Sequence, residues 1–197
     1  MQEVSVIIPN FNGMAYLDGV LAGLECQTVD DFEVILVDNG SSDGSCAFVA
    51  ARYPWVHLIE LPENFGFCKA VNEGIRASRS PYVLLLNNDI EVTDNFIEEM
   101  TDAIKRHPKA FSCAARMIQF HDRDRLDDAG NYYCALGWAY ARGKGKDIHT
   151  YEKEEKIFAS CAGAAIYRKK ILEKIGYFDE EHFAYLEDMD VGYRARI

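Results

Sequence analysis

Polar side chains follow three apolar runs of the sequence, at the point where each run ends. Asn10 follows the first run, Asp38 ends the second, and the triplet Asn87, Asn88, Asp89 follows the fourth. Magnesium and manganese prefer oxygen ligands, and magnesium is often held by one or two carboxylates together with substrate phosphates. Asp89 is therefore a candidate metal ligand, and the two amides are candidates for orienting a sugar. A polar turn after a strand accounts for the same triplet without any ligand.

Two further segments carry residue types that suit a nucleotide. The Asp38 carboxylate can accept a hydrogen bond from a nucleobase imide N–H, although turn-forming residues at 39–44 explain much of this segment. Asn64 and Gly66 precede a predicted helix. Free N–H groups at the start of that helix, with Lys69 near its first turn, are suited to a phosphate. A helix N-cap with a glycine turn is the alternative interpretation.

The sequence from residue 178 onward is rich in acids and aromatic residues. Its acids are Asp179, Glu180, Glu181, Glu187, Asp188 and Asp190. An acidic helix N-terminus, which the helix dipole favours, explains such a cluster. Because aromatic residues alternate with the acids, the segment also predicts a partly desolvated site in which a carboxylate serves as general base.

Alternating strand and helix patterns must position these groups in the first half of the chain. Apolar runs predict strands over 4–9, 32–38, 56–61 and 82–86. The spacing of apolar residues and capping residues predicts helices over 14–27, 42–53, 67–78 and 93–107. Because these strands are nearly all apolar, they must be covered on both faces. The alternation of strands with helices implies a parallel sheet with right-handed crossovers. Ligands of these sheets bind outside the carboxyl ends of the strands, where Asn10, Asp38 and Asn87 lie.

The pattern changes after Ala110. The predicted elements are a strand over 110–120, a charged loop over 121–130, an irregular aromatic stretch over 131–146, and a strand followed by a short helix within 157–176. We expect a single α/β domain over residues 1–197. Residues 1–110 would form its nucleotide-binding half, and residues 111–197 would extend the same sheet on an acceptor side.

Charge and composition narrow the classes of function. The chain has 197 residues and a formal net charge of −11, which argues against a nucleic acid as main partner. A nucleotide remains compatible, because a divalent cation can neutralise a diphosphate. The six cysteines lack the spacing of a zinc knuckle and no secretory leader is evident, so we expect reduced cytoplasmic thiols. No apolar run approaches the ~20 residues of a transmembrane helix, while association with a membrane surface stays open.

Five segments together resemble the family 2 glycosyltransferases, which have the GT-A fold, invert the anomeric centre and use nucleotide-diphosphate sugars. In chain order these segments are VSVIIPNFNG, FEVILVDNGSSDGS, NFGFCKAVNEGI, YVLLLNND and CAGAAIYRKKILEKIGYFDEEHFAYLEDMDVGYRAR. They cover nearly the whole chain, and the ordered set is far more specific than any one member. Within the family, this set of motifs is most similar to that of rhamnosyltransferase-like members, in which an N-N-D triplet commonly replaces D-x-D.

The resemblance implies roles for the candidate residues. On the donor side it implies that Asp38 binds the base, that Pro9 and Asn10 line the nucleotide pocket, and that Asp89 ligates Mg²⁺ or Mn²⁺. On the acceptor side it implies that Asp188, paired with Glu187, deprotonates the acceptor hydroxyl, and that Gly163 and Ala164 lie close to the sugar and acceptor.

The implied reaction moves a sugar from a UDP- or dTDP-sugar to a glycan or lipid-linked acceptor during cell-surface polysaccharide synthesis. The implied location is the cytoplasm, with the inner face of the membrane as one candidate place of action.

Two departures from the family pattern bear on activity. Asn87 replaces the first acid of the usual triplet, so metal binding would rest on Asp89. Family members usually continue beyond the position of Ile197, so the sequence is expected to be a truncated or minimal domain.

Three alternatives stay open. A nucleotide-sugar-binding module without turnover would keep Asp38 and Asp89 but would have no use for Asp188. A Rossmann oxidoreductase is disfavoured because the sequence lacks the G-x-G-x-x-G fingerprint. A nucleotidyltransferase is disfavoured because no glycine-rich loop bearing Arg or Lys follows the first strand.

Overall fold

A six-stranded sheet forms the centre of the structure, a computed structural model that describes residues 2–197. In chain order the strands are β1 (Val4–Asn10), β2 (Phe32–Asn39), β3 (His57–Leu61), β4 (Tyr82–Leu86), β5 (Ser112–Ala114), β6 (Met117–Ile118), β7 (Leu126–Asp128), β8 (Asn131–Tyr133), β9 (Ala139–Ala141) and β10 (Ala164–Arg168). The helices are α1 (Met14–Glu25), α2 (Ser45–Arg52), α3 (Phe67–Ala77), α4 (Phe96–Arg106), α5 (Lys169–Ile175) and α6 (Glu187–Arg194). The central sheet has the order β3-β2-β1-β4-β10-β5.

The four strands predicted in the first half pair in parallel, as expected. The register places Asn10 opposite Asp38 and Ile7 opposite Leu85. The carboxyl ends of β1, β2 and β4 therefore meet at one edge of the sheet. β10 then pairs antiparallel with β4, and β5 pairs antiparallel with β10. The prediction of an α/β fold with a mostly parallel central sheet flanked by helices is confirmed.

Apolar side chains cover both faces of the sheet. On β4, Leu84 and Leu86 belong to a core cluster with α1 and α4, whereas Val83 and Leu85 belong to a second cluster with α3 and α5. Because successive strand residues point to opposite faces, a run such as YVLLL fits only a strand covered on both sides. The sheet is therefore a rigid base for the loops at its carboxyl edge.

Two predicted helix starts are three residues early. α2 begins at Ser45 rather than residue 42, because Gly44 has a φ of +90° and the Asp43 carboxylate instead accepts the Ser45 N–H at 3.0 Å. α4 begins at Phe96 rather than residue 93, because Thr93 closes a turn by accepting the Phe96 N–H at 3.0 Å. Capping residues thus form turns that precede each helix.

The second half is more regular than the sequence predicted. The single strand expected over 110–120 is wrong, because Ala115 donates to Ala164 and the chain then leaves the central sheet, so that β6 pairs with β7. The loop expected over 121–130 contains β7, and the irregular stretch over 131–146 contains a hairpin of β8 and β9. Short strands of this kind carry too few residues for a periodic signal. Within residues 2–197, no helix has the length and apolar character needed to cross a membrane.

Candidate active site

A cavity of about 250 Å³ opens at the carboxyl ends of β1, β2 and β4. Its lining residues are Pro9, Asn10, Phe11, Asn39, Asn64, Phe67, Asn87, Asn88, Asp89 and Phe183. The structure thus brings together most of the residues that the sequence predicted for a donor site. The lining is rich in amides and aromatic rings and carries one carboxylate, which suits a polar ligand with a flat group.

A chain of side-chain hydrogen bonds joins the carboxyl ends of β4, β1 and β2 at this cavity. Asn88 Nδ2 donates to Asn10 Oδ1 at 2.7 Å, and Asn10 Nδ2 donates to Asp38 Oδ1 at 2.7 Å. Gly13 lies against the first of these bonds, since a Cβ at this position would overlap Asn88 Nδ2 and Asn10 Oδ1. Asn88 therefore shapes the turn after β4, while its neighbour Asp89 remains exposed at the cavity.

Asp38 lies behind this chain and does not line the cavity. Its second carboxylate oxygen accepts the Ser41 N–H at 2.8 Å, and the side chain is 2% exposed. Burial, followed by the nearby Asp38 carboxylate, raises the pKa of the Cys46 thiol to about 12, so Cys46 faces Asp38 as a neutral thiol. The geometry favours Asp38 as the residue that orients Asn10.

The turn before α3 differs from the predicted phosphate site. The N–H groups of Phe65 and Gly66 donate to Asn39 Oδ1 and Asn64 Oδ1, and the Phe67 N–H donates to the Phe183 carbonyl at 2.7 Å. The N–H groups of Phe65, Gly66 and Phe67 therefore have partners within the protein and are not free for a phosphate. The approach of Phe183 also requires Gly66, which has a φ of +89° and no room for a Cβ.

Lys69 is not brought to the cavity. Its ammonium pairs with Glu73 at 2.9 Å and with Glu180 at 3.4 Å. The Glu73 hydrogen bond, ahead of the charge of Glu180, raises the pKa of Lys69. This lysine joins α3 to the acidic segment rather than facing a phosphate.

The residues around Asp89 fit a metal only if a substrate completes the ligand set. Within residues 2–197, no group of three or more His, Cys, Asp or Glu side chains could hold an ion. Asp89 offers one exposed carboxylate beside the Asn87 and Asn88 amides, and all of these supply oxygen. Hard cations such as Mg²⁺ accept this donor set when substrate phosphates provide further ligands.

Asp188 and Glu187 occupy the first turn of α6. Asp188 Oδ2 accepts a hydrogen bond from Asn131 Nδ2 at 2.7 Å, and Asp188 Oδ1 accepts the Met189 N–H at 2.7 Å. Burial, followed by the charge of Glu187, raises the pKa of Asp188 to about 6. Burial also raises the pKa of Glu187, whose Oε2 is buried without a hydrogen-bond partner among the described residues. Such an orphaned oxygen is costly unless a ligand meets it.

Two segments connect this acidic pair to the cavity. Residues 183–188 run from Phe183, which lines the cavity, to the pair itself. Residues 161–163 run from Cys161 to Gly163, which lies beside Asn87. Burial, followed by the charges of Asp128 and Asp188, raises the pKa of the Cys161 thiol, so Cys161 lies near the acidic pair. The Gly163 carbonyl accepts the Asn87 N–H at 2.8 Å, so Gly163 lies next to a residue that lines the cavity.

Ala164 does not lie at the site. Its side chain is 2% exposed and belongs to the core cluster that contains Leu84 and Leu86. The alternation of β10 explains this position, since Ala164 pairs with Leu86 inside the sheet.

Sequence reasoning missed several residues of the site. Asn39, Phe11 and Phe67 line the cavity, and each is adjacent in sequence to a motif or helix start that was recognised. Asn131 has no local signal, because its contact with Asp188 spans 57 positions.

Solved structures define the class of this fold. The S. aureus TarS fragment 1–349 in complex with UDP-GlcNAc is similar with a TM-score of 0.72 and 21% identity, covering 98% of this chain and 53% of that one. The mannosyltransferase PcManGT from Pyrobaculum calidifontis, in complex with GDP-Man and Mn²⁺, is similar with a TM-score of 0.72 and 16% identity, covering 98% and 51%. The fold is that of the GT-A glycosyltransferases. The chain spans about half the length of these solved proteins.

The sequence itself shows the family. Residues 5–176 match the model of Glycosyl transferase family 2, and the chain belongs to this family. The N-acetylglucosaminyl-diphospho-decaprenol L-rhamnosyltransferase of Mycobacterium tuberculosis is 26% identical to this chain over an alignment 212 residues long. The alignment covers 96% of this chain and 69% of that protein. The predicted resemblance to rhamnosyltransferase-like members of family 2 is thereby confirmed.

Proposed function

We propose that this protein is an inverting glycosyltransferase that moves a sugar from a UDP- or dTDP-sugar to an acceptor hydroxyl. One observation carries the proposal. A polar cavity presents Asn87, Asn88 and Asp89 at the carboxyl edge of the sheet, and two short segments connect it to the half-buried Asp188 carboxylate. Membership of family 2 supports the reaction class.

On the donor side, the nucleotide diphosphate would occupy the cavity. Its sugar and diphosphate would lie against Asn87 and Asp89, and Asn10 would contact the nucleotide in the orientation set by Asp38 and Asn88. Phe11, Phe67 and Phe183 supply faces on which a base or a sugar ring can pack. A Mg²⁺ or Mn²⁺ ion held by Asp89 would supply positive charge for the departing diphosphate.

On the acceptor side, Asp188 would act as general base. The acceptor hydroxyl attacks the anomeric carbon opposite the nucleotide, the new carbon–oxygen bond forms as the bond to the diphosphate breaks, and Asp188 takes the hydroxyl proton. The orphaned Glu187 oxygen would accept a hydrogen bond from a substrate hydroxyl. Displacement on one face, with no enzyme nucleophile, gives inversion.

The acceptor would be a glycan or a lipid-linked sugar of the cell surface. The name of the Mycobacterium tuberculosis relative specifies a diphospho-decaprenol acceptor, which supports the lipid-linked class. The β8–β9 hairpin that supplies Asn131 also exposes Leu136, Trp138 and Tyr140, which could contact such an acceptor. Action in the cytoplasm, at the inner face of the membrane, fits this acceptor class.

The donor site is tested by calorimetry of UDP and dTDP with and without Mn²⁺. We expect Mn²⁺ to tighten binding of the preferred nucleotide, and Asp89→Ala to remove that gain, because a carboxylate ligand is lost while the fold is unchanged. Asp94→Ala, which removes an exposed carboxylate from the following loop, is the matched control. Equal dependence on Mn²⁺ in the Asp89→Ala variant and the parent would contradict the assignment.

The base is tested by Asp188→Asn. The amide cannot take a proton, so we expect transfer from UDP- and dTDP-sugars to fall by ~10²–10⁴ while donor binding is kept. In the parent, kcat/KM should fall as the pH drops through about 6, where Asp188 becomes protonated. Asp179→Asn, on the exposed turn before α6, should leave transfer unchanged.

A nucleotide-sugar-binding module without turnover is the second candidate. The half-buried acidic pair is the observation against it, since a module would gain nothing from the raised pKa of Asp188 and the unpaired Glu187 oxygen. Donor binding without transfer in the parent, across a panel of glycan and lipid-linked acceptors, would favour the module.

A further inference from the structure

We infer that Asn131 is a positioning residue that fixes the orientation of the Asp188 carboxylate. The inference rests on the proposed general-base role of Asp188. Asn131 begins β8, and its amide reaches across to α6, where Nδ2 lies 2.7 Å from Asp188 Oδ2. The contact joins the hairpin to the candidate base directly.

The two oxygens of Asp188 have different partners. Oδ1 accepts the Met189 N–H of its own helix at 2.7 Å, and Oδ2 accepts the Asn131 amide at 2.7 Å. Two bonds from two separate elements define the plane of the carboxylate, whereas the helix bond alone leaves it free to rotate. Each oxygen keeps a further lone pair, so one can still receive the proton of an acceptor hydroxyl.

The backbone of Asn131 is itself fixed. Its N–H donates to the Ala159 carbonyl at 2.9 Å, and its own carbonyl accepts the Phe158 N–H at 2.8 Å. It also pairs with Ala141 across the hairpin. The amide is therefore presented from a rigid strand position, and a side-chain substitution leaves these backbone bonds in place.

The surroundings of Asp188 explain why such a donor matters. The ionisable groups whose charges couple to Asp188 are Glu187 on α6, Asp128 on β7, Cys161 before β10 and Tyr167 on β10. Burial and Glu187 raise the pKa of Asp188, while the Asn131 hydrogen bond lowers it. Asn131 therefore favours the ionised form, which is the form that can act as a base.

A titration of Asp188 tests the inference without any substrate. In protein carrying ¹³C at the aspartate carboxyl carbons, the Asp188 signal is the one absent from Asp188→Asn. We expect Asn131→Ala to raise its midpoint by about one pH unit, because a donor to the charged form is lost. Asn131→Asp, of equal size, should raise the midpoint of the resulting coupled pair as well.

The matched control is Tyr140→Ala, which removes an exposed side chain from the same hairpin and leaves the Asn131 amide in place. It should leave the Asp188 midpoint unchanged. An unchanged midpoint in both Asn131 variants would overturn the inference. If Asn131→Ala fails to fold, the result from the isosteric Asn131→Asp decides.

Kinetics separate this inference from the proposed function. With UDP-GlcNAc and dTDP-rhamnose as probes, Asn131→Ala should lower kcat about tenfold, because a misplaced base is less effective, with little change in donor KM. In Asn131→Ala, the pH at which activity falls on the acidic side should rise by the same amount as the titration midpoint of Asp188. If Asp188→Asn keeps full activity while the midpoint still moves, the base assignment fails and the Asn131 contact stands. If Asp188→Asn is inactive but the midpoint does not move, the positioning role alone fails.

Discussion

The two halves of this protein, for which we propose a donor-side and an acceptor-side role, are held together in different ways. Residues 2–110 are built around β1, β2 and β4, whose apolar side chains are almost completely buried. Each fully buried aliphatic side chain contributes ~1.5–3 kcal/mol relative to an exposed one. The polar groups of the cavity are attached to the ends of these strands and are oriented by one another, as in the chain from Asn88 through Asn10 to Asp38.

Residues 111–197 have shorter strands and depend more on arginine side chains that bind backbone carbonyls. Arg142 donates to Ala129, Arg168 to Ala110 and Ile104, Arg194 to Ile175 and Tyr177, and Arg196 to Ile157 and Phe158. A guanidinium carries five N–H donors in a planar arrangement, so one side chain can fix a loop that has no core of its own. The difference teaches that the first half is a packed unit, whereas the second half adds β10 and α5 to the same core and fixes its other segments by local attachments.

The largest expected effect lies in the donor half. Gly13→Ala places a methyl group on the Asn10–Asn88 bond, so we expect about 2–3 kcal/mol of destabilisation together with weaker UDP or dTDP binding. Denaturant unfolding and calorimetry measure the two effects. Gly19→Ala is the matched control, because a Cβ there meets nothing within 4 Å, and it should stabilise α1 by up to about 1 kcal/mol. Unimpaired nucleotide binding in Gly13→Ala would remove the claim that the donor side acts as a packed unit.

An intermediate effect is expected from Arg142→Met. Arg142 is 5% exposed and its loss leaves the buried Ala129 carbonyl without its side-chain donor, which should cost about 1–2 kcal/mol. Limited proteolysis should then cut first within residues 126–158, while nucleotide binding is kept. The control is Arg123→Met, which breaks an exposed pair with Glu91 and should change stability by about 0.5 kcal/mol or less. Equal loss of nucleotide binding and of protease resistance would show that the halves are not independent.

The third effect is a gain in stability that depends on pH and is absent in acid. Burial raises the pKa of Asp128 to about 6, above its usual 3.8, so the folded state binds this proton more tightly than the unfolded chain. Stability is therefore lost as the pH rises from about 4 to about 6 and stays lower above it. Asp128→Asn keeps an acceptor for the Gly130 N–H and should stabilise the protein by about 1–2 kcal/mol at pH 8, with the gain vanishing near pH 4.

Unfolding curves at several pH values measure this gain. Asp127→Asn, which breaks a 3.6 Å pair between Lys144 and a half-exposed carboxylate, serves as the control and should show no such gain. A stability difference for Asp128→Asn that is the same at pH 4 and pH 8 would contradict the role of its ionisation.

The two halves also differ in how much the sequence predicts. Donor-half elements are long and periodic, so their existence and order follow from local pattern, and Asn10 and Asn87 are identified simply because they end strands. Lys69 could not be excluded in advance, because its partner Glu180 lies on a distant segment. The same holds for the Phe67–Phe183 and Asn131–Asp188 bonds. Contacts between short elements far apart in sequence are decided by tertiary packing and leave no periodic trace.

The position of β10 has a consequence for how the protein is made. β10 lies between β4 and β5 in the sheet, although most of the second half of the chain separates it from β4 in sequence. During synthesis, β4 therefore remains an open, apolar strand edge until residues 164–168 have emerged, and β5 waits for the same partner. An unpaired edge of this kind is prone to aggregation, so β10 completes the sheet and also protects it.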